Sequence, residues 1–280
     1  MSDAIEAFAG PAGWGGPAGF ALLAAVTFLA AAVNSVAGGG TILTFPVLAA
    51  ILPADPARLV TANATSTIGL WPGAIAAAWA YRDERVGQPP WARWLLVPSV
   101  VGAIAGALLV VALPPALFEA LVPWLILTAA ILFAAQPYLV RAGHGAVADA
   151  ASSSRLGEAS IPLACGLQFL VALYGGYFGA GIGILMLAVL GLLGLGDIHR
   201  LNAVKNVLGM VVNGAAAAFF AASSLLGGQD VSWPHAAVMA AAAAAGGLAG
   251  SAVARLLPAR VVRRAVATIA FALAGYYFVT

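Results

Sequence analysis

Lys205 is the sole lysine of a 280-residue chain, and it stands inside a long apolar stretch. It lies about five residues past Arg200, roughly 7–8 Å along a helix axis. A charge at that depth is costly and marks a functional position by default. The only acid near the same stretch is Asp197, two turns back. The ammonium therefore suits a negatively charged ligand, unless it snorkels to the interface beside Arg200. Asn202, Asn206, Gly209 and Asn213 recur at spacings of four, three and four, which puts them on one helix face beside Lys205. A second apolar stretch carries Asn63, Thr65, Ser66 and Thr67 in its first turns. Two glycine clusters complete the set. Gly38-Gly39-Gly40 follows Asn34 and Ser35 and precedes Thr41; Gly179, Gly181 and Gly183 follow Tyr177. Helices restarting after such breaks offer unpaired N–H groups and positive dipole ends, which favour an anion.

These residues need elements to hold them, and composition says which. Hydrophobic residues make up 63% of the chain and charged ones 8%, against about 25% in an ordinary soluble protein. Mean hydropathy is +1.01. A water-facing surface cannot be built from this pool, so lipid must cover most of the outside. Disorder, a disulfide scaffold and a nucleic-acid binder are excluded by the low charge, the single Cys165 and the net charge of +2. The apolar runs are too long for a β-barrel. The N-terminus, with Asp3 and Glu6 and no basic residue, does not read as a secretory signal and is expected to be a short retained extramembrane segment.

Charges, prolines and glycines bound ten apolar segments: 17–37, 41–53, 58–80, 91–113, 117–139, 160–178, 182–196, 199–222, 233–255 and 261–279. Segments 41–53 and 182–196 are too short to cross a bilayer alone. Lys and Arg favour cytoplasmic loops. Arg82, Arg85 and Arg93 mark one such loop, Arg141 and Arg155 the next, and Arg255, Arg260, Arg263 and Arg264 a third. The loops at Pro114-Pro115 and Gly227–Asp230 lack Lys and Arg and are expected outside. Parity then makes 17–53 and 160–196 hairpins, each returning to its own side. Each half has an odd number of membrane-entering segments, so the second half is inverted. Both termini are expected outside. Arg58, on the outer side, is the exception to the charge rule.

The halves superpose at a fixed offset of 142 residues. Gly39 meets Gly181, Ile42-Leu43 meets Ile184-Leu185, Val47-Leu48 meets Val189-Leu190, Asp55 meets Asp197, and Arg58-Leu59 meets Arg200-Leu201. That is eight identities in positions 37–60, where chance gives about two or three. Asn63 overlies Lys205, and Ser35 overlies Tyr177. The expected fold is an all-α polytopic membrane protein of two inverted repeats, 1–140 and 160–280, each of about five membrane-entering helices with a glycine-broken hairpin; 141–159 is a cytoplasmic linker. Matched broken segments in two halves point to the binding site of a secondary transporter. The pairs Gly102/Gly106 and Gly246/Gly250 read instead as tight helix packing. The D-x-x-R pairs read as helix-start acids with a local ion pair.

AGGGTILTFPVL (37–48) with DPARLVTANATS (55–66) resembles the first half of the TauE/SafE family, and GYFGAGIGILML (176–187) with DIHRLNAVKNVLGMVVN (197–213) resembles its second half. The copies differ at Pro46, which overlies Ala188, and in the spacing of the second glycine cluster. The resemblance implies movement of small sulfur-containing anions, such as sulfite, thiosulfate or organosulfonates, across the cytoplasmic membrane.

The expected substrate contacts are Asn34, Ser35, Gly38, Gly39, Gly40, Thr41, Asn63, Ser66, Thr67, Tyr177, Gly179, Gly181, Gly183, Lys205, Asn206 and Asn213. No catalytic residue, metal or cofactor is expected. An intramembrane protease would need a buried nucleophile with its base, H-E-x-x-H, or paired buried acids; the three histidines lie at edges or in the linker and no acid lies deep in a span. A cation or proton carrier usually needs a buried carboxylate as well. The alternatives to a carrier are a channel-like anion path and, behind it, an intramembrane enzyme. Expected partners are the small anion and the bilayer, with no nucleic acid; a homo-oligomer is compatible with the sequence.

Overall fold

The computed structural model describes residues 16–36, 40–80, 90–150, 160–192, 198–253 and 259–279. Among these residues there is no strand. The α-helices are α1 (Pro17–Val36), α2 (Thr41–Ile51), α3 (Arg58–Ala80), α4 (Leu96–Ala112), α5 (Pro115–Ala150), α6 (Ser160–Tyr177), α7 (Ile182–Leu192), α8 (Ile198–Leu225), α9 (Trp233–Val253) and α10 (Ala259–Val279). A 3-10 turn, Pro90–Leu95, leads into α4. The protein is thus an all-α polytopic membrane protein, as its composition requires.

Four stretches of the described chain are long and apolar enough to cross a bilayer: Pro17–Ser35, Trp91–Ala112, Pro115–Ala135 and Leu201–Leu225. Helix α3 has 23 residues, but Arg58, Thr61, Asn63, Thr65, Ser66 and Thr67 dilute its apolar character. Helices α2 and α7 have 11 residues each, about 16 Å, roughly half of a hydrocarbon core. Helix α5 runs past the expected end at 139 to Ala150. Alanines at 142, 146, 148 and 150 favour helix strongly enough to carry it through Gly143 and Gly145. Residues 151–159 of the expected linker lie outside the described residues.

Packing crosses the sequence halves. Helix α9 lies against α1 and α3, while α4 lies against α6 and α8. Helix α5 meets α7 and α10 meets α2; α3 meets α8 and α5 meets α10. Exchanging each helix of the first half with its counterpart five places on carries every one of these contacts into another of them or into itself. One apolar core is built from α4, α6, α7 and α8, through Ala103, Ala172, Ile182, Met186, Leu208 and Val212. Two helices have therefore traded places between bundles.

The trade is made possible by glycine pairs. A Cβ on Gly102 or Gly106 of α4 would strike the carbonyls of Phe169 and Leu173 on α6. A Cβ on Gly246 or Gly250 of α9 would strike those of Phe28 and Ala32 on α1. Without apolar driving force between helices in lipid, close backbone contact supplies the dispersion energy that holds them. The outward faces are apolar: Leu29, Val97, Trp124 and Leu170 are each more than half exposed, as a lipid-covered surface allows.

Candidate functional site

Each hairpin is broken where its glycines fall. In the second, α6 stops at Tyr177 and the chain turns through Gly179 (φ +81°) and Gly181 (φ +78°). Only glycine takes that conformation without strain. The turn is tied by Phe178 N–H to Tyr174 O at 2.9 Å and by the Tyr174 hydroxyl to Ala180 O at 2.8 Å. In the first hairpin, Gly40 opens α2, and its N–H reaches Asn34 Oδ1 at 3.4 Å. A Cβ on Gly40 would lie 2.7 Å from the backbone oxygen of Ala30, so no larger residue fits there.

The two breaks meet. A Cβ on Gly179 would lie 3.5 Å from Thr41 Oγ1. Asn63 of α3 donates from Nδ2 to the carbonyl of Tyr177 at 2.9 Å, so a first-half side chain caps the end of a second-half helix. The hydroxyls of Thr44 and Ser66 are 2.7 Å apart and tie α2 to α3. On one side the breaks are covered by aromatic rings. Phe45 packs edge-on to Phe178 at 5.3 Å, and Phe118 lies 6.4 Å from Phe45 and 5.5 Å from Tyr177.

Lys205 is 3% exposed and Asn206 7%, so the lysine does not snorkel to the surface. Lys205 Nζ, Asn206 Nδ2, Asn63 Oδ1 and the Tyr177 hydroxyl are all buried without a hydrogen-bond partner. Buried polar groups are nearly always paired, and an orphan asks for an absent water, ion or ligand. On α8, Val212 faces Gly175 of α6, and Gly214 approaches the Trp71 indole of α3. Lys205 lies two turns earlier, about 10 Å down the axis. Half-buried Asn213 sits between the Val212 and Gly214 contacts.

The expected contacts therefore sort into groups. Gly40, Asn34, Thr41, Asn63, Tyr177, Gly179 and Gly181 belong to the joined breaks, with buried Gly183 in the first turn of α7. Lys205 and Asn206 are buried on α8, which packs against α3. Ser66 is engaged with Thr44. Thr67 donates to Asn63 O on its own helix at 2.9 Å, and Ser35 to Ala32 O at 2.8 Å, with its hydroxyl toward Gly250. Thr65 turns away from the breaks and accepts the Ser232 N–H at 3.0 Å. Asp55 Oδ1 accepts the Ala57 N–H at 2.7 Å, a local helix-start role. Gly38 and Gly39 lie outside the described residues. Thr44 and Tyr174 hold the breaks but were not singled out from sequence. Thr44 sits three residues after Thr41, a spacing that could have found it; nothing in the sequence announces Tyr174. Among the described residues no group of His, Cys, Asp and Glu is arranged to hold a metal.

A broken-helix bundle with buried, unpartnered polar groups and a lipid-facing exterior is the architecture of a membrane transporter. A profile of the family described as Sulfite exporter TauE/SafE matches residues 23–277. The chain belongs to that family, and so to the membrane transporters rather than the enzymes. It is 28% identical over 243 residues to a "Probable membrane transporter protein" of Haemophilus influenzae, covering 86% of this chain and 84% of that one. It is 27% identical over 256 residues to "Probable membrane transporter protein ORF9" of Sinorhizobium sp, covering 91% and 90%. No solved structure matches.

Proposed function

We propose that the protein is a secondary transporter that moves a small sulfur-containing anion (sulfite, thiosulfate or an organosulfonate) across the cytoplasmic membrane. The anion binds between the two repeats, 1–140 and 160–280, near the breaks and Lys205, and both termini lie outside. The observation that carries this reading is the meeting of the breaks: Asn63 capping Tyr177, and Gly179 against Thr41, with an unpaired ammonium buried in the neighbouring helix. The two orphaned atoms on α8, the Lys205 ammonium and the Asn206 amide nitrogen, are both donors, which favours an anion. No acid on the helices around α8 offers a cation a seat.

The aromatic cover over the breaks favours alternating access over a standing pore. Phe45, Phe118 and Phe178 are each at most 1% exposed, so passage requires the halves to move. The test is uptake and counterflow in proteoliposomes with sulfite, thiosulfate, sulfonates, sulfate and chloride. Counterflow of a sulfur anion, lost in Lys205→Gln with normal insertion and folding, is the expected result. Lys205→Gln with unchanged transport removes Lys205 from the site. Chloride moving as well as every sulfur anion overturns the substrate reading.

A further inference from the structure

The site has one charge. Lys205 is the only buried Lys, Arg, Asp or Glu among the residues whose side chains are described. The helices packed on α8 are α3, α4, α6 and α7. Their titratable side chains are Arg58, half-buried at the start of α3, and Cys165, Tyr174 and Tyr177 on α6; none is a carboxylate. The other orphaned atoms near the breaks and on α8, at Asn63, Tyr177 and Asn206, are neutral. The repeat is asymmetric at this point, because Asn63 stands where its counterpart is Lys205.

We propose that the protein selects a singly charged anion, a sulfonate or hydrogensulfite, over dianions such as sulfite, sulfate and thiosulfate. The inference deepens the sulfur-anion reading above and rests on it. A monoanion beside the Lys205 ammonium leaves the buried site neutral. A dianion leaves one negative charge among neutral amides, hydroxyls and apolar side chains. Burying an uncompensated charge is the dominant electrostatic cost in such a site. Dipoles from the starts of α2 and α7 soften it but supply only about half a charge each. The dianion is expected to bind about a hundredfold more weakly or worse. Hydrogensulfite would then bring its own proton into the bundle, so the chain needs no buried carboxylate to move one.

The experiment is binding to the purified full-length protein in nanodiscs, read by calorimetry. Methanesulfonate and sulfate present similar tetrahedral sulfur groups with different charge. Methanesulfonate is expected to bind, with sulfate and thiosulfate about a hundredfold weaker. Sulfite affinity, divided by that of methanesulfonate at each pH, is expected to fall as hydrogensulfite loses its proton; the ratio cancels any titration of Lys205. Lys205→Gln is expected to weaken methanesulfonate and to weaken sulfate at least as much, because the lost ammonium attracts a dianion more strongly than a monoanion. Sulfate bound as tightly as methanesulfonate, or methanesulfonate affinity unchanged in Lys205→Gln, overturns the one-charge rule and leaves the sulfur-anion reading standing. Failure of methanesulfonate, sulfite and thiosulfate alike overturns that reading and this inference with it.

Discussion

Replacing Lys205 with methionine should make the empty protein more stable while abolishing its response to substrate. The ammonium is buried without a hydrogen-bond partner. An unpaired ion in a low-dielectric interior costs several kcal/mol even after relaxation, and apolar replacement of buried ions has returned about 1–4 kcal/mol. Methionine has a similar length and adapts to irregular surroundings. At about 2–4 °C per kcal/mol for a large chain, the melting temperature should rise by about 2–16 °C. Substrate acts in the opposite sense. At a hundred times its dissociation constant, a ligand stabilises the folded state by about 2.7 kcal/mol. The wild-type protein should show that shift with a sulfonate, and Lys205→Met should show none. Thermal unfolding of both proteins in detergent, with and without anion, reads all four states. A Lys205→Met protein that melts lower than wild type would mean the ammonium has a structural partner, and the reasoning fails. An undiminished anion shift in the variant refutes it equally.

Gly176→Ala and Gly166→Ala lie on the same helix and should have opposite effects. A Cβ on Gly176 would overlap the Ala103 carbonyl on α4, while one on Gly166 meets nothing within 4 Å. The first should cost about 1–3 kcal/mol or more by forcing two backbones apart, and the second should gain about 0.5–1 kcal/mol of helix propensity; melting curves decide. Topology is checked in a Cys165→Ser background. Cysteines introduced at 3 and 228 should react with an impermeant reagent from outside and one at 84 only from inside, and labelling of 84 from outside would break the parity of the inverted repeat.

The chain order of the helices and the places where they break are legible in the sequence alone. Apolar runs cannot stop in lipid except at charge, proline or glycine, so Gly40 and Gly179–Gly181 show as breaks in sequence and in structure. The four-residue spacing of glycines 102/106 and 246/250 marks packing points, and backbone carbonyls of α6 and α1 fill those gaps. The face of each polar residue was less legible. Asn63, Thr65 and Thr67 fall within two turns, yet they serve the Tyr177 carbonyl, the Ser232 amide and α3 itself.

By itself the sequence determined that the solvent is lipid, that two glycine-broken hairpins recur at matching places, and that one lysine falls within an apolar span. Those facts follow from composition and spacing, which need no neighbours. The burial of that lysine was decided by the tertiary structure. Only the tertiary structure decided that α4 packs with α6 and α8 while α9 packs with α1 and α3, and that aromatic rings from α2, α5 and the second break cover the breaks. Helices that are apolar all round carry no amphipathic stripe to name their partners. In a membrane that choice is made by how closely particular backbones can approach, and closeness is a property of two helices together.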